Sequence, residues 1–267
     1  MPESEPKTRF RDVICAESAK SKVLPLVHIT DGYNLFDIIK PKKLTAYHCD
    51  VFDKNLIYMF YGKPAYRKRY FGTNKNSSML PCVFIFDVNA IKDDVYAVYP
   101  FDTGAFDGGV YGDFFHRRMK LIDFSLNPNI NSARQLVDYF YTSEIDYILG
   151  RSTKNLNIEA PNFEVESYYD LARHPTLFPD KSKINPDERG SAIEIQFNKD
   201  IEMKGKLLGC ILPISFFENR EIRETLDIIK PKYIKPYIVI ENLHNMMLAS
   251  TIYEKLCEIL KEEGFEL

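Results

Sequence analysis

Tryptophan is absent from the 267 residues, and cysteine is scarce: five residues, Cys15, Cys49, Cys82, Cys210 and Cys257, odd in number and widely spaced. No C-x-x-C pair occurs, which excludes a disulfide framework and a thiolate zinc site. The five histidines are equally scattered, so no structural metal is expected. No segment approaches the ~20 apolar residues of a membrane span, and the first twenty residues lack the apolar core of a secretory signal. No membrane partner is expected, and a reducing cytoplasm is the expected location. Charge is nearly balanced, 35 Lys+Arg against 38 Asp+Glu, for a net of −3. That excludes a chain-wide attraction to nucleic acid or anionic lipid and leaves such a role to local basic patches. No internal repeat is visible. The phosphate-cradling G-x-x-x-x-G-K-[ST] and post-strand G-x-G-x-x-G patterns are missing, as are G-x-S-x-G and H-E-x-x-H. The common kinase, serine-hydrolase and zinc-protease readings lose their support.

What is present is an ordinary soluble composition, 45% hydrophobic and 27% charged, with 19 Phe and 17 Tyr. Residues 1–20 are polar and predict a loose arm. Apolar, β-branched and aromatic runs predict strands at 23–30, 56–61, 82–86, 95–99, 191–197, 207–212 and 237–240. A short helix is expected over 33–39, stopping before Pro41. Residues 100–115 carry four glycines among aromatics and aspartates and predict a loop. One helix is expected over 132–149 with Gly150 as its stop, and a short one near 167–173. Over 242–263, Leu243, Met247, Leu248, Ile252, Leu256, Ile259 and Leu260 share one face, and Gly264 closes an amphipathic helix. Strands and helices do not alternate regularly, so the expected class is mixed α+β.

Three segments stand out. The first is Val27-His28-Ile29-Thr30, followed by Asn34-Leu35-Phe36-Asp37-Ile38-Ile39. The second runs from Tyr58 through Tyr61, Lys63 and Pro64 to Tyr66-Arg67. The third is Ser191-Ala192-Ile193-Glu194-Ile195-Gln196-Phe197. In order and residue type they resemble the ADP-ribosyltransferase superfamily in its His–Tyr–Glu form, and within it the DarT-type toxins that modify DNA bases. The likeness covers residues 23–70 and 188–213. It implies a single domain over 21–267 with a split antiparallel sheet, a helical insertion at about 100–185 that the likeness does not cover, and a long C-terminal helix.

The resemblance implies NAD as substrate. It implies His28, Tyr61 and Glu194 as catalytic residues, and His28, Thr30, Asn34, Tyr58, Tyr61, Tyr66 and Arg67 as NAD contacts, with either Tyr58 or Tyr61 stacking on nicotinamide. Glu194 would stabilise the oxocarbenium character that develops at the ribose C1′ as nicotinamide leaves. Alternation along a strand puts Glu194 and Gln196 on one side and Ile193, Ile195 and Phe197 in the core. Arginine-modifying relatives use Glu-x-Glu with the catalytic Glu second, a position that Gln196 fills here; the DarT-like register selects Glu194. Lys63, Lys68 and Arg69, with Tyr66 and Tyr70 interleaved, would contact the target, nucleic acid ahead of protein. His116-Arg117-Arg118 forms a second small basic cluster. The setting implied is a toxin or phage-defence effector, with a neutralising antitoxin as partner.

Each assignment has an ordinary counterpart: a structural histidine at a strand end, core tyrosines, a half-buried strand with a solvated acidic face. Two other functions stay open. Asp187, Glu194 and Gln196 loosely echo the acidic strand of a Mg²⁺-dependent nuclease. Gln196 also suits a catalytically inactive module that binds a nucleotide or a partner.

Overall fold

In the computed structural model the description covers residues 7–65, 76–151, 153–173, 188–240 and 245–267, with the side chains of 188 and 245–247 left aside. In chain order the elements are helix α1 (Arg9–Cys15), strand β1 (Leu26–Asp31), α2 (Leu35–Ile39), β2 (Lys43–Leu44), β3 (Tyr47–Cys49), β4 (Lys54–Tyr61) and β5 (Pro81–Phe86). Then follow β6 (Ala97–Tyr99), α3 (Thr103–Asp107), α4 (Ile130–Phe140), α5 (Glu144–Ile148) and α6 (Phe163–Arg173). The last elements are β7 (Glu194–Phe197), β8 (Ile201–Glu202), β9 (Leu207–Pro213), α7 (Arg220–Ile229), β10 (Tyr233–Tyr237) and α8 (Asn245–Glu262). The class is mixed α+β, as expected. The chain divides into two compact units, Met1–Leu24 with Val95–Gln196, and Pro25–Asp94 with Phe197–Leu267.

In the second of these units, the strands line up β10-β9-β5-β1-β4, with β3 paired to β4. The pairs are antiparallel except β9–β10, which run parallel in the register Gly209↔Tyr233 to Pro213↔Tyr237. A parallel neighbour needs a crossover, and α7 supplies it. Asn219 starts α7 by accepting from the backbone N–H of Glu221 and Ile222, and Lys230 ends it in the left-handed conformation. Every residue of β5, Pro81–Phe86, is buried. Such a strand reads as one continuous apolar run, as a central strand should. Ile252, Leu256, Ile259 and Leu260 of α8 are fully buried, and the helix lies against β9 and β10. The last strand therefore falls at Tyr233–Tyr237 rather than at 237–240, where Ile238 and Ile240 are exposed. Its partner β9 decides this, not the local run of β-branched residues.

The other unit is built on aromatic packing. Phe10 of α1 meets Phe124 at 5.5 Å and Tyr168 of α6 at 5.7 Å, and Tyr168 meets Phe140 of α4 at 4.9 Å. The stretch expected as a loose arm is thus helical at Arg9–Cys15, with Phe10 and Ile14 buried. Its polar residues are pairing groups: Arg9 donates Nε to Glu164 Oε2 at 2.9 Å and Nη2 to Oε1 at 2.7 Å. The single helix expected over 132–149 is two. Tyr141 turns extended after Phe140, and Ser143 restarts the chain by accepting from the Asp146 N–H at 3.1 Å. Residues 100–115, expected as a loop, contain α3. Asp102 caps it by accepting from Ala105 N–H at 2.7 Å, and Phe101 stacks on Phe106 with centroids 5.3 Å apart. Five residues are too few to show a helical period, so the cap and the ring stack form this helix. β6 and β7 pair antiparallel in the same unit, with Tyr99 opposite Glu194 and Ala97 opposite Gln196.

Among the described residues no helix is long and apolar enough to cross a membrane, and no group of three His, Cys, Asp or Glu is placed to hold a metal ion.

Candidate functional site

Strand β1 carries the first candidate residues. Its ladder with β4 comprises Leu26↔Tyr61 and Val27↔Phe60. Past that pair a cavity of about 440 Å³ opens, lined by β1, α2, β3 and β4, with His28, Thr30, Asn34 and Tyr58 among its walls. His28 Nδ1 lies 2.9 Å from the Tyr58 carbonyl oxygen. A carbonyl only accepts, so Nδ1 carries a proton. Asp31 Oδ1 takes both the backbone N–H and the side-chain amide of Asn34, each at 3.0 Å, which fixes the turn into α2. Between them Gly32 is demanded by close approach, since a Cβ there would sit 2.2 Å from the Ser77 carbonyl oxygen.

The alternation of β4 separates the two tyrosines that the sequence left open. Tyr58 lines the cavity, whereas Tyr61, three positions on and therefore on the opposite face, is fully buried. Lys63, expected to reach for a target, is 2% exposed, so its ammonium is not part of a solvent-facing patch. Tyr66, Arg67, Lys68, Arg69 and Asp187 lie outside the described residues. The cavity also recruits residues that motif order does not reveal: Asp31, Asp37, Thr45, Tyr47 and His48. Tyr47 and His48 sit on a three-residue strand, too short for any period to show. The sign that could have found them is an aromatic and an imidazole side by side between two candidate segments.

Glu194 belongs to the other unit. It opens β7, whose four residues are all buried. Neither Glu194, at 2% exposure, nor Gln196 lies on a solvated face. Three donors hold the carboxyl group. Thr103 gives its backbone N–H to Oε2 at 3.0 Å and its hydroxyl to Oε1 at 2.8 Å, and Gln196 gives Nε2 to Oε1 at 2.8 Å. Burial, then the nearby Asp102 carboxylate, push the Glu194 carboxyl up to about 8, although all three hydrogen bonds favour its anion. Across the ladder Tyr99 is pushed up to about 12, by burial first and by Glu194 second. Gln196 Oε1 is buried and makes no hydrogen bond among the described residues. The segment that supplies Thr103 is itself fixed: Asp102 N–H donates to the Arg189 carbonyl at 3.1 Å, and Phe101 packs against Tyr111, Phe115 and Phe124. A buried carboxyl with a raised titration, held by three donors, is a candidate functional position. The second basic cluster contributes His116 and Arg118 to a separate cavity of about 590 Å³, which Glu164, Glu166 and Asp170 also line, so its charge is mixed.

No family model matches this chain, and no curated protein is similar to it. Among solved structures it is similar to Thermus sp. 2.9 DarT in complex with carba-NAD+, at TM-score 0.37 and 10% sequence identity over 83% of this chain and 97% of that chain.

Proposed function

We propose that the protein is an NAD-dependent ADP-ribosyltransferase that moves ADP-ribose to a macromolecular target, nucleic acid ahead of protein. One observation carries the reading. His28, Thr30, Asn34 and Tyr58, singled out by the order of short motifs, line one cavity, and its histidine is held by a backbone carbonyl. A cavity of this size with a few convergent polar groups is an ordinary small-molecule site.

In this reading His28 hydrogen-bonds the NAD ribose and fixes its orientation, and Tyr58 offers its ring to the flat nicotinamide. The bond that breaks joins C1′ to the nicotinamide nitrogen. Its electron pair leaves on nicotinamide, which departs neutral. A lone pair of the target forms the new bond to C1′, and the target loses a proton. Glu194 as the carboxylate stabilises the positive charge at C1′. With its titration near 8, the group is mostly protonated at pH 7. A cationic pyridinium beside it favours the anion, so binding the substrate generates the catalytic form. The motif likeness further suggests a toxin or phage-defence effector held in check by an antitoxin.

The test is nicotinamide release from NAD by the purified protein, alone and with DNA, RNA or cell protein, beside Glu194→Gln. Release that depends on Glu194, with label passing to nucleic acid, is expected. No release under any condition, together with no NAD-induced rise in Tm, overturns the reading. Nucleic-acid cleavage that needs Mg²⁺ and ignores NAD would replace it with the nuclease alternative.

A further inference from the structure

Three facts about Thr103 go beyond the role given to Glu194. Thr103 is 1% exposed. It spends both of its donors on one carboxyl group 91 positions away, the N–H on Oε2 and the hydroxyl on Oε1. The main chain around it is fixed by the Asp102 cap and the Phe101–Phe106 stack. A two-point grip on two oxygens sets the plane of a carboxyl group as well as its position, which a single hydrogen bond does not.

Gln196 is a different kind of partner. Its amide donates to Oε1 at 2.8 Å, while its own Oε1 has no partner among the described residues. A half-turn of the amide exchanges donor for acceptor, so Gln196 serves the carboxylate and the carboxylic acid equally. The backbone N–H of Thr103 has no such freedom, and its hydroxyl donates to Oε1 while the group is ionised. Among the described residues, Asp102 ahead of α3, whose carboxylate opposes ionisation, and Tyr99 on β6 face Glu194.

We infer that Thr103 is the positioning residue for Glu194, fixing the plane of its carboxyl group and favouring its anionic form, while Gln196 follows whichever form is present. The inference rests on the role proposed above for Glu194 only as regards catalysis; the grip itself is independent of it.

The experiment titrates the Glu194 carboxyl group by ¹³C NMR or infrared spectroscopy on ¹³C-glutamate-labelled protein. The signal is assigned by its loss in Glu194→Gln, and wild type is compared with Thr103→Val and Thr103→Ser. Thr103→Val keeps the shape and removes the hydroxyl. It should move the midpoint up by about one pH unit, the size of one hydrogen bond to a charged group. Thr103→Ser should restore the wild-type value. In NAD cleavage, Thr103→Val should lower kcat about tenfold with little change in KM, and move the acidic limb of the pH profile in the same direction. Thr103→Ala carries the same titration should the valine variant not fold. A midpoint unchanged in the variant lacking the hydroxyl overturns the inference, even where Glu194→Gln abolishes NAD cleavage. A midpoint that shifts as expected while Glu194→Gln cleaves NAD at the wild-type rate removes Glu194 from the catalytic role proposed above and leaves the grip standing.

Discussion

The His28 imidazole is held by the main chain of Tyr58, thirty positions along, through a 2.9 Å contact between Nδ1 and the carbonyl oxygen. One interaction thereby sets the ring's orientation and places a proton on Nδ1. Tyr58 meanwhile lines the same cavity. In the role proposed for His28, contact with the NAD ribose, its loss should be felt in ligand binding.

His28→Ala is expected to raise the KM for NAD about tenfold, the size of one well-placed hydrogen bond with its partner left unpaired. The fold should persist, because the ring is only half-buried. Steady-state nicotinamide release and far-UV circular dichroism check the two halves of this statement. A variant with unchanged KM would remove His28 from the site.

The raised titration of Glu194 also has a stability signature. The folded group holds its proton up to about pH 8, whereas its unfolded counterpart releases it near 4.5. Between these values the native state binds more protons than the unfolded state, so stability falls as pH rises through that window. The cost at the upper end is of order a few kcal/mol for so deeply buried a group. Glu194→Gln should flatten this slope and be the more stable protein at pH 8. Thermal melts of both proteins from pH 5 to 8.5 measure it, and parallel curves would contradict it.

The Arg9–Glu164 pair joins α1 to α6. The Glu164 side chain is fully buried while Arg9 is 29% exposed, and the carboxyl group titrates below its usual range. Burial opposes that shift; the Arg9 hydrogen bonds and charge, with Lys7 behind them, produce it. Here the stabilisation is present above the unfolded carboxylate pKa and is lost as the solution is acidified through the lower folded value. Arg9→Met should destabilise by about 2–3 kcal/mol in urea unfolding, below the figure for a fully buried pair because Arg9 is partly screened by solvent. Arg151→Met, which breaks the exposed pair with Asp146, should cost less than ~1 kcal/mol.

Gly32→Ala tests the turn that delivers α2 to the cavity. The added Cβ would lie 2.2 Å from the Ser77 carbonyl oxygen and 2.8 Å from the Phe216 ring. Backbone on one side cannot yield cheaply, so a loss of about 1–3 kcal/mol is expected. Alanine tolerated without loss of Tm would mean that the turn shifts freely.

Residue order alone settled a good deal of this protein. The runs Leu26–Asp31, Lys54–Tyr61, Pro81–Phe86 and Leu207–Pro213 are rich enough in β-branched, aromatic and other apolar residues to declare themselves strands, and the apolar stripe of Asn245–Glu262 declares a helix. Motif order also singled out His28, Thr30, Asn34 and Tyr58, which line one cavity. Other features arise only when distant segments meet. The short helix at Thr103–Asp107 exists because Asp102 caps it and Phe101 stacks on Phe106. The end of the helix at Phe140 and the restart at Ser143 depend on a cap, not on a change of periodicity. Glu194 sits in what looks like an alternating half-solvated strand, yet it is buried and gripped by Thr103 from 91 positions away. Local pattern records which face of an element is apolar. Which polar group meets which, and what that does to a proton, depends on contacts closed across long stretches of chain, and only the tertiary structure decides those.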